Sequence, residues 1–163
     1  FCHVRIIPLS HNLNTIELRA AVPDDVEVLT ELSHHTILAK YPAVIGRESV
    51  EGYVASGAVP AYYRDRNNHC VIAMQSDEVV GVYATKDNTV DLMMVALAYH
   101  RTGIGAALLK DAERRLFATY PRLALDSFRD NAQANQFYEK NGWTLDHHFV
   151  DPAYGIPMVR FIK

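Results

Sequence analysis

A chain of 163 residues is the size of one ordinary domain, and its 49% hydrophobic content supplies one sizeable core. A charged fraction of 21% excludes a disordered chain. A net charge of -3 argues against nucleic acid as the main partner, because phosphate binding wants a basic face.

Taken in chain order, residues 1–14 read as an N-terminal extension and residues 15–163 as a single domain. "FCHVRIIPLSHNLNT" lacks the long apolar stretch of a secretory signal, and no apolar run approaches the roughly 18 residues of a membrane span. No membrane partner is therefore expected. "TIELRAAV" alternates as a strand does. Pro23, Asp24 and Asp25 open a helix whose apolar stripe is Val26, Leu29, Leu32 and Ile37. "GRESVEGYVAS" reads as a second helix closed by Gly57, while "VPAYYRDRNN" carries no decisive period. "HCVIAMQ", "VVGVYAT" and "TVDLMMVAL" are three strands joined by the turn residues 76–78 and 86–88, an antiparallel meander. Ile104, Leu108, Ala112 and Leu116 mark a strongly amphipathic helix. "RLALDSF" is a buried strand, and "NAQANQFYEKNG" is a short helix capped by Asn131 and stopped by Gly142. "WTLDHHFV" and "PMVRFIK" are two last strands. The order is mixed α/β of the α+β type: a meander, then a strand–helix–strand crossover.

Cys2 and Cys70 lie far apart and neither belongs to a CxxC, so a reducing cytoplasm fits best. His34-His35 and His147-His148 are adjacent pairs. Neighbours on a helix or strand point in different directions, so neither pair chelates easily and no metal is expected.

The stretch "HRTGIG" joins a strand to a helix. The first helical amides have no intrahelical acceptor, the helix dipole is positive there, and glycine lets an anion approach the backbone. A plain tight turn is the other reading. The P-loop pattern GxxxxGK[ST] is absent, and a dinucleotide fingerprint begun at Gly103 fails at Leu108.

Two longer motifs decide between these readings. "VALAYHRTGIGAALL", followed later by "NAQANQFYEKNGW", resembles the GNAT family of N-acetyltransferases. Val95, Tyr99, Gly103, Gly105 and Leu108 match the family's acetyl-CoA motif. Asn131, Ala134, Phe137, Tyr138, Glu139, Lys140 and Gly142 match its second motif, with Trp143 for the usual aromatic. The resemblance implies the GNAT fold: a mixed, mostly antiparallel sheet of about seven strands, splayed between strands four and five, with about four helices. It implies acetyl-CoA as cosubstrate. It also implies that backbone groups of Met93, Met94 and Val95 bond the pantetheine. The amides of Arg101, Thr102, Gly103, Ile104, Gly105 and Ala106 would hold the pyrophosphate, with Asn131 placing the cofactor arm. His100 stands where Arg or Gln is common, and Leu97 replaces the usual Pro. Arg101 would then supply charge.

Acetyl transfer needs a neutral amine, a polarised thioester and a protonated leaving thiol. A lysine-like amine costs about 4–5 kcal/mol to neutralise at pH 7, and an α-amine about 1 kcal/mol. Asp91, four residues before Val95, is the base candidate, since related enzymes place a base or water-holding residue on this strand. Tyr138 corresponds to the family's tyrosine near the thioester sulfur. Its proton donation to a thiolate is uphill by about 2 kcal/mol at unperturbed pKa values, so hydrogen bonding to the developing charge is its simpler role. His34, His35, Tyr41, Tyr53, Tyr62 and Tyr63 fall where the family builds its acceptor pocket. The resemblance thus implies a cytoplasmic N-acetyltransferase acting on a small-molecule, peptide or protein amine, and homodimers are common in the family. A non-catalytic acyl-CoA-binding module of the same fold is the alternative.

Overall fold

The computed structural model describes residues 15–163; the extension 1–14, with Cys2, lies outside the described residues. Seven strands form one sheet: β1 Glu17–Ala20, β2 Cys70–Gln75, β3 Glu78–Lys86, β4 Thr89–Val95, β5 Ala124–Phe128, β6 Thr144–Val150 and β7 Pro157–Ile162. Their spatial order is β1-β2-β3-β4-β5-β7-β6. Only β4 and β5 run parallel. The meander arises from its turns. Ser76 and Asp77 both take left-handed φ values, 50° and 63°, and such a turn matches the right-handed twist of its flanking strands. The parallel pair needs a crossover, which a helix over 104–117 supplies.

Six helices flank the sheet among the described residues: α1 Val26–Lys40, α2 Pro42–Ile45, α3 Arg47–Ala55, α4 Ala58–Arg66, α5 Ile104–Phe117 and α6 Ala132–Lys140. That is more than the four or so expected. The segment left open, "VPAYYRDRNN", is largely α4. Its Pro60 sits in the first turn, where the missing N–H costs nothing. Gly57, left-handed at φ 77°, begins α4 as well as following α3.

The helices divide between two faces. Ile104, Leu108, Ala112 and Leu116 of α5 are buried with Val80, Tyr83, Val90 and Phe161. Leu29, Leu32 and Ile37 of α1, Val50 of α3 and Val59 of α4 are buried on the other face with Ile72, Val82 and Ala84. Trp143, also in the first cluster, donates its indole N–H to Glu113 of α5 at 2.8 Å, tying the chain after α6 to the crossover helix.

The packing of α5 sets where its N-terminus lies. At Gly81 of β3 a Cβ would meet Leu108 Cδ1 at 2.9 Å, the Met94 carbonyl at 3.1 Å and Ile104 Cγ2 at 3.2 Å. Glycine here lets α5 sit directly on the sheet. Gly81→Ala is expected to lower stability by about 1–3 kcal/mol through overpacking. Gly52→Ala, in α3 with nothing within 4 Å of its Cβ position, is expected to raise stability by about 0.4–1 kcal/mol. Urea midpoints of the two variants measure both, and equal signs would contradict this account.

Candidate active site

β4 and β5 share one register pair, Thr89 with Ala124, and then diverge. On its other edge β4 stays paired with β3, through Leu92 to Ala84, Met93 to Tyr83, Met94 to Val82 and Val95 to Gly81. The Ala96 N–H bonds the Val80 carbonyl at 2.9 Å, which fixes the alternation. Main-chain groups of Met94 face β3, and those of Met93 and Val95 face the gap, where no strand meets them. One is capped from within the chain: His100 Nε2 lies 2.7 Å from the Val95 carbonyl. The ring must carry its proton on Nε2 to donate there.

The gap opens into a cleft of about 700 Å³. One wall is the turn into α5. Arg101 and Gly103 are both left-handed, at φ 60° and 89°, a type of turn that gathers successive amides on one side. The first intrahelical bond at this end runs from the Ala107 N–H to the Gly103 carbonyl, so the amides of Ile104, Gly105 and Ala106 lack intrahelical acceptors. No acidic residue occupies this first turn. A Cβ on Gly103 would stand in open space, and one on Gly105 would lie 3.4 Å from Phe137 and 3.8 Å from Val95. Arg101, Gly103, Gly105 and Ala106 line the cleft. Thr102 turns its hydroxyl to the Tyr99 carbonyl, and the Ile104 side chain is buried in the core, so neither side chain lines the cleft.

A second wall is α6, whose Phe137 approaches Gly105 of α5. Asn131 caps α6, accepting from the Ala134 N–H at 3.3 Å, and lines the cleft together with Phe137 and Tyr138. The Tyr138 ring lies 5.4 Å from that of Phe137 and 5.8 Å from that of Phe161. Burial drives its hydroxyl above the usual tyrosine range, so it stays protonated and able to donate at neutral pH. The C-terminal turn of α1 completes the cleft with Thr36, Lys40 and Tyr41.

Asp91 stands apart. The register of β4 slips between Thr85–Val90 and Ala84–Leu92, which leaves Asp91 as the extra, bulged residue. Counting by twos from Val95 puts it on the α5 face; the bulge turns it toward α4. There its Oδ2 accepts from the Tyr62 hydroxyl at 2.6 Å and faces Arg66 Nε at 3.9 Å. Asp91 is not among the residues lining the cleft. Of the six first-helix candidates, only Tyr41 lines it. Tyr62 and Tyr63 pack edge-on at 5.6 Å, and Tyr63 hydrogen-bonds Ser33 at 2.7 Å. His34 and His35 border a separate shallow groove between α1 and α4. Thr36 and Lys40 carried no signal in the sequence, because neither belongs to a motif. Among the described residues no three His, Cys, Asp or Glu side chains converge as metal ligands, and no helix is long and apolar enough to cross a membrane.

A family model described as the acetyltransferase (GNAT) domain matches residues 31–161. The chain belongs to the GNAT acetyltransferase family. As a GNAT domain it superposes on a GCN5-related N-acetyltransferase from Rhodopseudomonas palustris with a TM-score of 0.81 at 19% identity, covering 91% of this chain and 95% of that one. The PaiA N-acetyltransferase of Thermoplasma acidophilum, solved with coenzyme A, gives 0.75 at 18% identity over 90% and 98% of the two chains. YncA of Salmonella typhimurium, solved with acetyl-CoA, gives 0.64 at 18% over 91% and 92%. The mixed sheet with its parallel β4–β5 pair is the GNAT fold.

Cys70 bears on how such a domain could act. It begins β2, is 2% exposed, and points its thiol at the Arg66 carbonyl at 3.3 Å. Burial pushes the thiol up to about 11, which leaves almost no thiolate at neutral pH. In a Cys2→Ser chain at pH 8, a thiol reagent is expected to label Cys70 at least about tenfold more slowly in the native protein than in urea. Equal rates would show an accessible, reactive thiol.

Proposed function

We propose that this GNAT domain is an acetyl-CoA-dependent N-acetyltransferase that passes an acetyl group to a primary amine by direct attack in a ternary complex. The observation that carries this reading is the free edge of β4 beside the open amides of α5, with Tyr138 facing the same cleft. The cleft fits acetyl-CoA. Main-chain groups of Met93 and the N–H of Val95, whose carbonyl His100 caps, are the amide partners an extended pantetheine needs. The amides from Arg101 to Ala106, the helix dipole and the Arg101 charge suit a pyrophosphate. Asn131 stands at the mouth of α6 to orient the arm. Coenzyme A in the PaiA structure, acetyl-CoA in the YncA structure and the motif matches support this.

Acetyl-CoA supplies an activated thioester. The nitrogen–carbon bond forms as the carbon–sulfur bond breaks; the nitrogen sheds a proton and the sulfur gains one. Tyr138, a protonated phenol at neutral pH, donates a hydrogen bond to the departing sulfur. Unpaired main-chain N–H groups on the β4 edge are the available donors for the charge that develops on the acetyl oxygen. With no carboxylate lining the cleft and Asp91 held by Tyr62 and Arg66, the amine gives its proton to solvent and reacts from its neutral fraction. A buried Cys70 kept as a thiol favours direct transfer over an acyl-cysteine.

Release of CoA from acetyl-CoA in the presence of an amine panel tests the activity. Tyr138→Phe is expected to lower kcat by about tenfold or more with acetyl-CoA affinity changed less than about threefold. An unchanged kcat removes Tyr138 from the mechanism. Tight acetyl-CoA binding without CoA release from any amine would instead support a non-catalytic binding module.

A further inference from the structure

β4 ends at Val95, and the Val95 carbonyl is its last main-chain group facing the gap, because the Ala96 N–H turns back to the Val80 carbonyl of β3 at 2.9 Å. An extended ligand paired along this edge and ending in a phosphate at α5 must pass that carbonyl. His100 already holds it. The imidazole Nε2 stands 2.7 Å from the oxygen. His100 and Val95 both line the cleft, as do Arg101 and Gly103 of the turn beyond. A ring that reaches a carbonyl facing the gap itself stands in the gap, between the strand edge and the α5 amides. We propose that His100 is a latch on the acyl-CoA site: it bonds the Val95 carbonyl in the free protein and swings away when a pantetheine amide N–H takes that carbonyl. The latch rests on the acyl-CoA reading above and adds to it a residue that sets cofactor affinity.

The bond is made by the imidazole alone, while the turn that carries it is held by other contacts. The Tyr99 N–H bonds the Ala96 carbonyl at 2.9 Å, and the His100 N–H bonds the Leu97 carbonyl at 3.3 Å. The Tyr99 carbonyl accepts from the Thr102 hydroxyl, and the Tyr99 hydroxyl donates to Glu78 at 3.0 Å. His100 is half-buried. Rotation about its side-chain torsions therefore frees the Val95 carbonyl without moving the anion-binding turn. The exchange is also chemically matched. One N–H donor replaces another on the same acceptor, so the carbonyl is satisfied in both states and never left orphaned. Charge at the phosphate end stays with Arg101, the next residue, which also lines the cleft. The effect on affinity is opposite in sign to that of a ligand contact. While the ring is in place the ligand amide has no approach to the oxygen, so the apparent Kd exceeds the intrinsic one by the reciprocal of the open fraction.

The test measures binding of two probes by calorimetry, to the full chain and to its His100→Ala variant. One probe is CoA; the other is adenosine 3′,5′-bisphosphate, which keeps the nucleotide and lacks pantetheine. In the variant the Kd for CoA is expected to fall about threefold to tenfold, while that for the bisphosphate changes less than about twofold. Nitrogen-15 NMR of the wild-type imidazoles supplies a readout that needs no substitution. His100 is expected to hold its proton on Nε2 in the free protein, to lose that preference when CoA is added, and to keep it when the bisphosphate is added. CoA binding by the variant that equals the wild type or is weaker overturns the latch and leaves the acyl-CoA reading standing. An Nε2 signal unmoved by bound CoA does the same, and this arm decides if the variant does not fold. No CoA binding by the wild type overturns both.

Discussion

β4 and β5 are hydrogen-bonded at one register pair and then part, and the rest of the molecule is arranged around that parting. A sheet normally satisfies every backbone donor and acceptor along its inner strands. Here β4 is an inner strand by order but has one edge without a partner beyond Thr89. Unpaired backbone groups removed from water are costly. The cleft keeps them wet or ready for a ligand, and His100 covers the one at the Val95 carbonyl. An extended ligand with amides of its own is the natural complement to such an edge, for the reason a strand is.

The second requirement is that a helix begin next to that edge. α5 crosses from β4 to β5 and must start within the turn that follows Val95. Its position is set from the far side by packing of Ile104 and Leu108 against Gly81, where no side chain separates helix from strand. Burying a residue such as Leu108 contributes about 1.5–3 kcal/mol, far more than any one amide–anion contact in the turn needs to hold its shape. The core therefore holds the start of α5 in place, and the left-handed Arg101 and Gly103 only steer the chain into it.

Electrostatics then separates the two ends of the cleft. Cationic groups and helix amides gather at the α5 end, while the α1 end is largely aromatic apart from Lys40. The negative charges of β4 and β5 are spent on Arg66 and Arg160 across the sheet faces. Asp91, placed in a bulge, is thereby made part of the contact between β4 and α4.

Much of this was legible in the chain by itself, wherever the governing physics is local. Alternation showed the first strand, strand-favouring runs between turn residues showed the meander, four-residue spacing showed α5, and Asn131 and Gly142 showed the ends of α6, because each depends on neighbours within a few residues. The two motifs placed the glycine turn and Tyr138 in one site, since a shared spacing reports a shared fold. What only the tertiary structure decided is set by contacts distant in sequence. The bulge that turns Asp91 to Tyr62 exists because β3 and β4 pair out of step. His100 reaches the Val95 carbonyl because the turn folds back on the strand. Tyr41 enters the cleft because α1 ends beside Phe128 of β5. Strand parity and motif spacing are properties of one segment, whereas a slipped register or a wall built from two halves of a sheet is a property of how segments meet.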